Sequence, residues 1–425
     1  MLKNTILEQK TRKDASLKEK YIPRYQTDKL AEVLDSGLVK VVLGPRRAGK
    51  SFFSTHSFKP TEAAYVNFDD ENLLKVNDYN EIIQTALEVY GKTKYLLLDE
   101  VQNIPNWELL VNRLHREGYN LLVTGSNSKL LSKELATHLT GRHLPIELLP
   151  FSFKEFLLFK NFTLDSKETM AKEKKAELLG YLDFFMRNGG FPELVINELK
   201  PETYLAPFVE SLLFKDVIKR YRLRKPDHIY NLETYLINNV ANEFTYERLS
   251  NVLGIASWAT VVKYMAYLEE AYLLVVLGRY SHKAAQRLKS PKKVYMVDNG
   301  LITAKAVQLS KDSGRMMENL VFTELLKRGM RPNLELFYYK TRNDREIDFI
   351  LRKGHIVSEL IQVAYDVSNP DASEREVKAL VEAGEELNCD KLTLLTWDEK
   401  KQVNKGGVVI NFVPLWEWLM RFELF

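Results

Sequence analysis

The segment GPRRAGKS, residues 44–51, has residue types and spacing that suit phosphate binding. It matches G-x-x-x-x-G-K-[ST] and directly follows the apolar run VKVVLG (39–44). In this context main-chain amides turn toward phosphate oxygens, Lys50 reaches the β/γ-phosphates, and Ser51 binds magnesium at a helix start that favours anions. A chance glycine-rich loop is the alternative, and the strand and Lys-Ser pair argue against it. The predicted ATP-binding residues are Gly44, Pro45, Arg46, Arg47, Ala48, Gly49, Lys50, Ser51 and Phe52.

Two acids supply the second half of such a site. The run YLLLDE ends in Asp99 and Glu100, and Asp99 lies 48 residues after Ser51. We predict that Asp99 holds magnesium, mostly through water, and that Glu100 polarises the attacking water as general base. A purely structural role for both acids is the weaker hypothesis.

Two further polar residues could take part in hydrolysis. Ser126, in NLLVTGSN, falls at the tip of a strand, where it could orient water; the alternative is a simple turn. Arg142, in LTGRHLPIELLP, could stabilise γ-phosphate charge in a neighbouring subunit, which would require a homo-oligomer. An exposed loop arginine is the competing interpretation.

The elements that must position these residues are five short apolar runs, each separated by room for a helix. They are VKVVLG (39–44), AAYVNFDD (63–70), YLLLDEV (95–101), NLLVTGS (120–126) and LPIELLP (144–150). Continuous apolar strands that alternate with helices predict a parallel α/β sheet covered on both faces. Residues 1–34 are predicted to form a basic amphipathic segment, and 151–224 to be helical and charged.

Composition narrows the class of protein. The 425 residues are 45% hydrophobic and 28% charged, which is a globular composition. A net charge of +4 means that a nucleic-acid surface must come from local clustering. The single cysteine, Cys389, excludes an intramolecular disulfide, and no apolar run is long enough to span a membrane. We expect a soluble, cytoplasmic protein of about three domains.

A helix-turn-helix pattern follows the helical region. Thr245 and Ser257 are predicted helix caps on either side of Gly254. In the second helix Val261, Met265, Leu268 and Tyr272 would face the core, whereas Thr260, Lys263 and Tyr264 would face a ligand.

The next segment, residues 277–293, carries six cations and no acid. Such a wing would bind a DNA backbone in a salt-dependent way. The alternatives are protein contact and an ordinary charged loop. With Thr260 and Lys263, the predicted DNA contacts are Arg279, Lys283, Arg287, Lys289, Lys292 and Lys293.

A third group of polar residues lies near the end of the chain. Glu318 falls on the helix GRMMENLVFTELLKRG, and Asp348 and Gln362 fall on the two strands of the hairpin REIDFILRKGHIVSELIQVA. Oxygen ligands on adjacent strands could hold magnesium.

The motifs GPRRAGKS, LLLDEVQNIPNWE, LLVTGSNS, GRHLPIELLPFSFKEF and GGFPELV, in this order, resemble those of prokaryotic AAA-superfamily ATPases with a C-terminal domain of formerly unknown function. The resemblance covers nearly the whole chain. It implies ATP and Mg²⁺ as cofactors and four parts: an AAA-type P-loop core (1–150), a helical lid (151–224), a winged helix (225–300), and an α/β domain similar to PD-(D/E)XK restriction endonucleases (301–425).

The nuclease comparison maps Glu318, Asp348 and Gln362 onto metal ligands, and Ala364 onto the usual lysine. Gln362 brings no charge and Ala364 no ammonium. A lysine from elsewhere could replace it, with Lys340, Lys353 and Lys378 as candidates. The resemblance therefore favours a degenerate nuclease; Asp348 as a retained structural residue and an active enzyme are the alternatives.

The resulting hypothesis is a magnesium-dependent ATPase that acts on DNA as a switch or motor. An ATP-regulated endonuclease and a signalling or scaffold ATPase that binds only protein are the alternatives.

Overall fold

The computed structural model describes residues 1–126, 141–163, 171–306 and 312–421. The chain forms two compact units, one of residues 1–150 with 270–272 and one of 151–269 with 273–425. We call them the first and second unit.

In the described part of the first unit, five strands form an all-parallel sheet in the order β2-β3-β4-β1-β5. The strands are β1 (Val39–Leu43), β2 (Ala64–Asn67), β3 (Tyr95–Asp99), β4 (Asn120–Gly125) and β5 (His143–Glu147). The helices are α1 (Leu2–Ser16), α2 (Gln26–Val33), α3 (Lys50–Ser57), α4 (Tyr79–Tyr90) and α5 (Trp107–Arg116). The predicted parallel α/β core is confirmed.

Apolar side chains on the sheet and helices make the core of this unit. Leu97, Leu122 and Ile146 from the strands pack with Phe53 and Phe58 from the α3 region. The register pairs Val42 with Thr124 and Asn67 with Asp99, so the carboxyl ends of the strands form one edge.

Helix α1 covers the open edge of β2. The Gln9 amide accepts a hydrogen bond from the Asn67 main-chain N–H at 2.9 Å and donates one to its carbonyl at 3.1 Å. The side chain thus imitates a neighbouring strand at an edge that would otherwise expose unpaired groups. The buried residues of α1 are Thr5, Ile6, Gln9 and Lys13, so the face it buries is mostly polar.

The described part of the second unit contains two sheets. A three-stranded antiparallel sheet has the order β6-β8-β7, and a six-stranded mixed sheet has the order β13-β14-β12-β11-β10-β9. The strands are β6 (Glu243–Phe244), β7 (Leu274–Gly278), β8 (Lys292–Met296), β9 (Leu336–Lys340), β10 (Glu346–Lys353), β11 (Ile356–Ala364), β12 (Leu392–Thr396), β13 (Lys401–Lys405) and β14 (Val408–Pro414).

Helices surround these sheets. They are α6 (Phe153–Phe159), α7 (Lys172–Asn188), α8 (Pro192–Ile196), α9 (Pro201–Leu212), a π-helix (Leu213–Lys219), α10 (Pro226–Asn238), α11 (Tyr246–Val252), α12 (Trp258–Glu270), α13 (Ala284–Lys289), α14 (Asn299–Lys305), α15 (Ser313–Lys327), α16 (Pro370–Leu387) and α17 (Leu415–Met420). Within the described residues no helix is both long and apolar enough to cross a bilayer.

Hydrogen bonds join the three predicted parts of the second unit, residues 151–224, 225–300 and 301–425. The Asp298 carboxylate accepts from Gly190 N at 2.8 Å, and Lys327 Nζ donates to the Phe151 carbonyl at 2.9 Å. Gly189 has φ 75°, and a Cβ there would lie 1.8 Å from Asp298 Oδ1, so the GGFPELV motif requires glycine at this position. These contacts make one compact unit of residues that the sequence assigns to a lid, a winged helix and a nuclease-like domain.

Candidate functional site

The phosphate-binding motif forms the loop between β1 and α3. Gly49 adopts φ 87° and precedes Lys50, the first residue of α3. A Cβ on Gly44 would lie 2.0 Å from the Leu148 carbonyl oxygen, so only glycine lets the loop pass this close to the chain after β5. The loop therefore presents a helix N-terminus and main-chain amides, which suit phosphate.

Lys50 is buried beside the acids of the site. Its ammonium donates to the carbonyls of Gly44 at 3.2 Å and Pro45 at 3.0 Å, and lies 3.8 Å from Glu100 Oε1. Arg24 is also buried, and its guanidinium donates a hydrogen bond to the Ala48 carbonyl at 3.2 Å, which stabilises the loop. The sequence did not single out this residue.

Asp99 ends β3 as a buried carboxylate with several hydrogen-bond donors. Tyr65 Oη donates to its Oδ2 at 2.9 Å, and the Thr124 hydroxyl donates to its Oδ1. Burial raises the pKa of Asp99 and the neighbouring Glu100 charge raises it further, whereas hydrogen bonds from Thr124, Ser51 and Tyr65 oppose the rise. The predicted magnesium ligands, Ser51 and Asp99, thus lie within hydrogen-bond reach of each other.

Glu100 is held by a relay of polar groups. It adopts φ 52°, and its main-chain N–H donates to Thr124 Oγ1 at 3.0 Å. Gln102 Nε2 donates to the Glu100 carboxylate and lies 3.4 Å from the Ser126 hydroxyl. The structure therefore brings Lys50, Glu100 and Ser126 together, with Gln102 as a link that the sequence did not single out.

Phe52, Arg46, Arg47 and Arg142 are the other predicted residues of this site. Phe52 packs against His56, with ring centroids 4.1 Å apart, and His56 stacks on Tyr21 at 4.8 Å. Arg46 is half-buried and Arg47 is exposed. Arg142 is exposed next to the start of β5, and its carbonyl accepts a hydrogen bond from Val39 N at 2.9 Å.

The donor set fits a nucleotide with a hard divalent cation. A hydroxyl and a carboxylate, Ser51 and Asp99, are oxygen ligands of the kind magnesium prefers. Lys50 and the amides after Gly44 supply positive charge for phosphates.

Of the residues predicted to contact DNA, seven are at least partly exposed and one, Lys293, is buried. Lys263, Lys283 and Lys289 are exposed, and Thr260, Arg279, Arg287 and Lys292 are half-buried. Lys293 is 1% exposed and pairs with carboxylates, so it does not belong to a basic surface. Tyr264 was also expected on the ligand-facing side of α12, but it is buried.

A cleft of about 560 Å³ lies beside residues 277–293, which we call the basic segment. Arg279 and Lys289 line it from the β7–β8 connection, and Lys340 and Arg342 line it from the end of β9. Arg279 also donates to the Lys340 carbonyl at 3.1 Å, which ties the two sides together. No acidic residue lines this cleft within the described parts of the chain, and cations with tyrosines suit a phosphate-bearing strand.

The residues compared with nuclease ligands surround a lysine that the sequence did not suggest for this site. Lys293 Nζ, on β8, lies 2.8 Å from Glu318 Oε1, 2.7 Å from Glu346 Oε1 and 3.4 Å from Asp348 Oδ1. Tyr295 Oη donates to Glu318 Oε1 at 2.7 Å. We call Lys293, Glu318, Glu346 and Asp348 the Lys293 cluster.

The three lysines proposed as replacements for Ala364 have other positions. Lys340 Nζ pairs with Glu243 at 2.8 Å and lies 3.9 Å from Glu346. Lys353 is exposed at the end of β10, and Lys378 pairs with Glu374 on α16. Lys293 is the lysine that lies beside Asp348 and Glu318. No alternation along β8 marked it, because residues 293–296 are all buried.

Gln362 does not present its amide oxygen as an open ligand. That oxygen accepts a hydrogen bond from Asp348 N at 3.1 Å, and Nε2 donates to Glu376 at 2.8 Å. The amide therefore holds β10 and α16 in place.

Comparison with known protein families supports the P-loop fold of the first unit. An AAA domain family matches residues 36–157, and two domain families of unknown function match 180–313 and 313–418. The first unit thus has the fold of an AAA-like P-loop ATPase domain.

The chain also resembles whole proteins. It is 38% identical over 402 residues to an uncharacterized protein of Methanocaldococcus jannaschii, covering 90% of this chain and 88% of that one. An uncharacterized protein of Haemophilus influenzae is 29% identical over 410 residues, covering 92% of this chain and 96% of that one. The solved structure of a Walker-type ATPase of Pyrococcus abyssi aligns at 15% identity and a TM-score of 0.43, covering 68% of this chain and 96% of that one.

The buried carboxylate of Asp99 should cost stability when nucleotide and metal are absent. Because burial raises its pKa, the ionised form that the unfolded chain carries near neutral pH is disfavoured in the fold. Asp99→Asn should therefore raise the Tm of the nucleotide-free, metal-free protein by a few degrees while hydrolysis is lost. Differential scanning calorimetry at pH 7.5 measures this, with exposed Asp69→Asn as the unchanged control. A lower Tm for Asp99→Asn would contradict it.

Proposed function

Because this chain belongs to the same family as the uncharacterized Methanocaldococcus jannaschii protein, and its first unit has the fold of an AAA-like P-loop ATPase domain, we propose that it is a magnesium-dependent ATPase acting on DNA as a nucleotide-driven switch or motor. The observation that carries the ATPase part is the convergence of Lys50, Asp99 and Glu100. Lysine, metal ligand and general base lie at one edge of a parallel sheet, as phosphoryl transfer to water requires.

Each residue has a defined task in this proposal. Lys50 exchanges its loop carbonyl partners for β/γ-phosphate oxygens, and Ser51 and Asp99 hold magnesium, which neutralises phosphate charge when bound. Glu100 accepts a proton from the attacking water.

The groups around Glu100 set its orientation. Gln102 and the Thr124 hydroxyl fix the carboxylate and its main chain, and Ser126 extends the same hydrogen-bond chain. Exposed Arg142 suits a role in a neighbouring copy, which would make a homo-oligomer the active form.

The DNA part of the proposal is supported by the basic cleft. Cations from the β7–β8 connection face cations from the end of β9 across a groove with tyrosines. Such a surface binds a phosphate backbone by counterion release, without sequence preference.

The nucleotide site can be tested by two variants with different expected effects. Lys50→Ala should abolish ATP binding, because the loop loses its phosphate-binding ammonium. Glu100→Gln should keep binding and lower hydrolysis by roughly 10²–10⁴-fold, as expected for loss of a general base. Calorimetric ATP titration and a phosphate-release assay measure both, with Lys92→Ala as control. Hydrolysis by Glu100→Gln at the native rate would show that another residue is the base.

DNA binding can be tested by removing charge from the basic segment. The triple variant Lys283→Gln, Arg287→Gln, Lys289→Gln should weaken duplex binding and lower the slope of log K against log salt by about 2–3, since each lost phosphate contact accounts for about 0.9. A matched control neutralises three exposed lysines elsewhere in the same unit, namely Lys172, Lys215 and Lys219. Fluorescence anisotropy over a salt series is the measurement. Absence of native binding at low salt would favour the protein-binding scaffold ATPase instead.

One observation favours the second candidate, an ATP-regulated endonuclease. Lys293 brings an ammonium to Asp348 and Glu318, which is the group that Ala364 lacks. This enzyme would nick supercoiled plasmid in the presence of ATP and Mg²⁺ or Mn²⁺, and Asp348→Ala would abolish nicking. Lys293 Nζ itself lies 2.7–3.4 Å from the three carboxylates that would have to hold the metal, so we expect intact plasmid with the native protein and with Asp348→Ala. Asp348-dependent nicking would establish the endonuclease.

A further inference from the structure

The Lys293 cluster unites three carboxylates and one ammonium from three elements. Glu318 comes from α15, Glu346 and Asp348 from β10, and Lys293 from β8. Lys293 and Asp348 are 1% and 5% exposed, so both charges are removed from water. A buried charge is tolerated only when it is paired and hydrogen-bonded, and here the pairing is among these four side chains.

The ammonium lies at the point that the three carboxylates share. Its distances of 2.7 and 2.8 Å to Glu346 and Glu318 are charge-assisted hydrogen bonds. Magnesium would need near-octahedral oxygens at about 2.0–2.1 Å from the same point, so the ion and the ammonium cannot both be there.

Other neighbouring groups also contact the carboxylate oxygens and the ammonium of the cluster. Asp348 Oδ2 accepts a hydrogen bond from Val363 N at 2.9 Å, and Tyr295 donates to the Glu318 oxygen that pairs with Lys293. The Tyr338 ring lies 5.8 Å from Lys293 Nζ. Within the described residues these carboxylates are not arranged as a set of metal ligands while they surround Lys293.

The charge balance explains why a cation is required. Burial by itself would lower the pKa of Lys293, but the carboxylates, Glu318 foremost, raise it well above its ordinary value. Burial likewise raises the pKa of Asp348, with Glu318 adding to the rise and Lys293 opposing it. Lys340, 3.9 Å from Glu346, is a second cation at the outer side of the cluster.

We propose that the Lys293 ammonium permanently takes the place of a divalent cation, so that this nuclease-like cluster binds no metal and joins β8 to α15 and β10 instead. The cluster is then a built-in ion site that keeps the second unit in one arrangement, and this unit does not cleave phosphodiesters. The inference does not depend on ATP hydrolysis by the first unit.

The test is to remove the ammonium and ask whether a metal site appears. Lys293→Met keeps much of the side-chain volume but leaves buried carboxylates unpaired. We expect the Tm of the full-length, nucleotide-free protein to fall by roughly 5–10 °C, as for a broken buried ion pair in a domain of this size. Saturating Mn²⁺ should recover part of this loss, with Mn²⁺ binding at least roughly tenfold stronger than in the native protein.

Two control variants identify the carboxylates as the cause. Lys293→Met with Glu318→Gln and Asp348→Asn should restore most of the lost Tm and show no Mn²⁺ response, because the two more buried carboxylate charges are gone and Glu346, which is partly exposed, keeps Lys340 nearby. Lys353→Met, at an exposed lysine on the same strand as Asp348, should change neither Tm nor Mn²⁺ binding.

A titration of the native protein gives a second test that does not depend on how well Lys293→Met folds. Mn²⁺ binding should be identical in the native protein and in Asp348→Asn. Native Mn²⁺ binding that is lost in Asp348→Asn would overturn the proposal, as would a Lys293→Met protein with native Tm and no gain in Mn²⁺ affinity.

Discussion

An ionised side chain can be buried only if the fold supplies partners for it, and both units are organised around this constraint. In the first unit Asp99 is surrounded by hydroxyl donors from Ser51, Tyr65 and Thr124. In the second unit Lys293 is surrounded by three carboxylates. In each case the partners come from more than one element, so the charged group links several elements at one point.

The consequences for chemistry differ between the two sites. Around Asp99 the partners are neutral hydroxyls, so a carboxylate remains available to a cation, next to a loop built for phosphate. Around Lys293 the cation is part of the chain: its ammonium offsets one of the three carboxylate charges, and Lys340, 3.9 Å from Glu346, adds a second positive charge. In the proposed ATPase the first arrangement suits turnover, since a magnesium ion that binds and leaves with the nucleotide would balance its charge. The second suits a permanent link.

The second unit combines this link with a basic surface. Lys293 points inward from β8, whereas the preceding residues, from Arg279 to Lys289, contribute cations to the cleft. The buried ion pairs hold β8 in position, and β8 directly follows the segment that carries the cleft residues Arg279 and Lys289.

Local patterns in the sequence determined much of this protein. The phosphate loop, the acids 48 residues later and the five apolar runs predicted the parallel sheet and the meeting of Lys50, Asp99 and Glu100, because a parallel sheet brings strand ends to one edge whatever the loops between them. Arg24 and Tyr65 were missed because no short-range spacing links them to the site. Gln102 was missed because its position two residues after Glu100 does not show that its side chain turns back to that carboxylate.

Only the tertiary structure decided the role of Lys293. It lies 25 residues from Glu318 and 55 from Asp348, inside a run of cations that by composition alone indicated a surface. Whether a lysine belongs to a basic patch or to a buried cluster depends on which way its strand faces and on what packs over it. Composition carries no information about either, since both follow from contacts between distant parts of the chain.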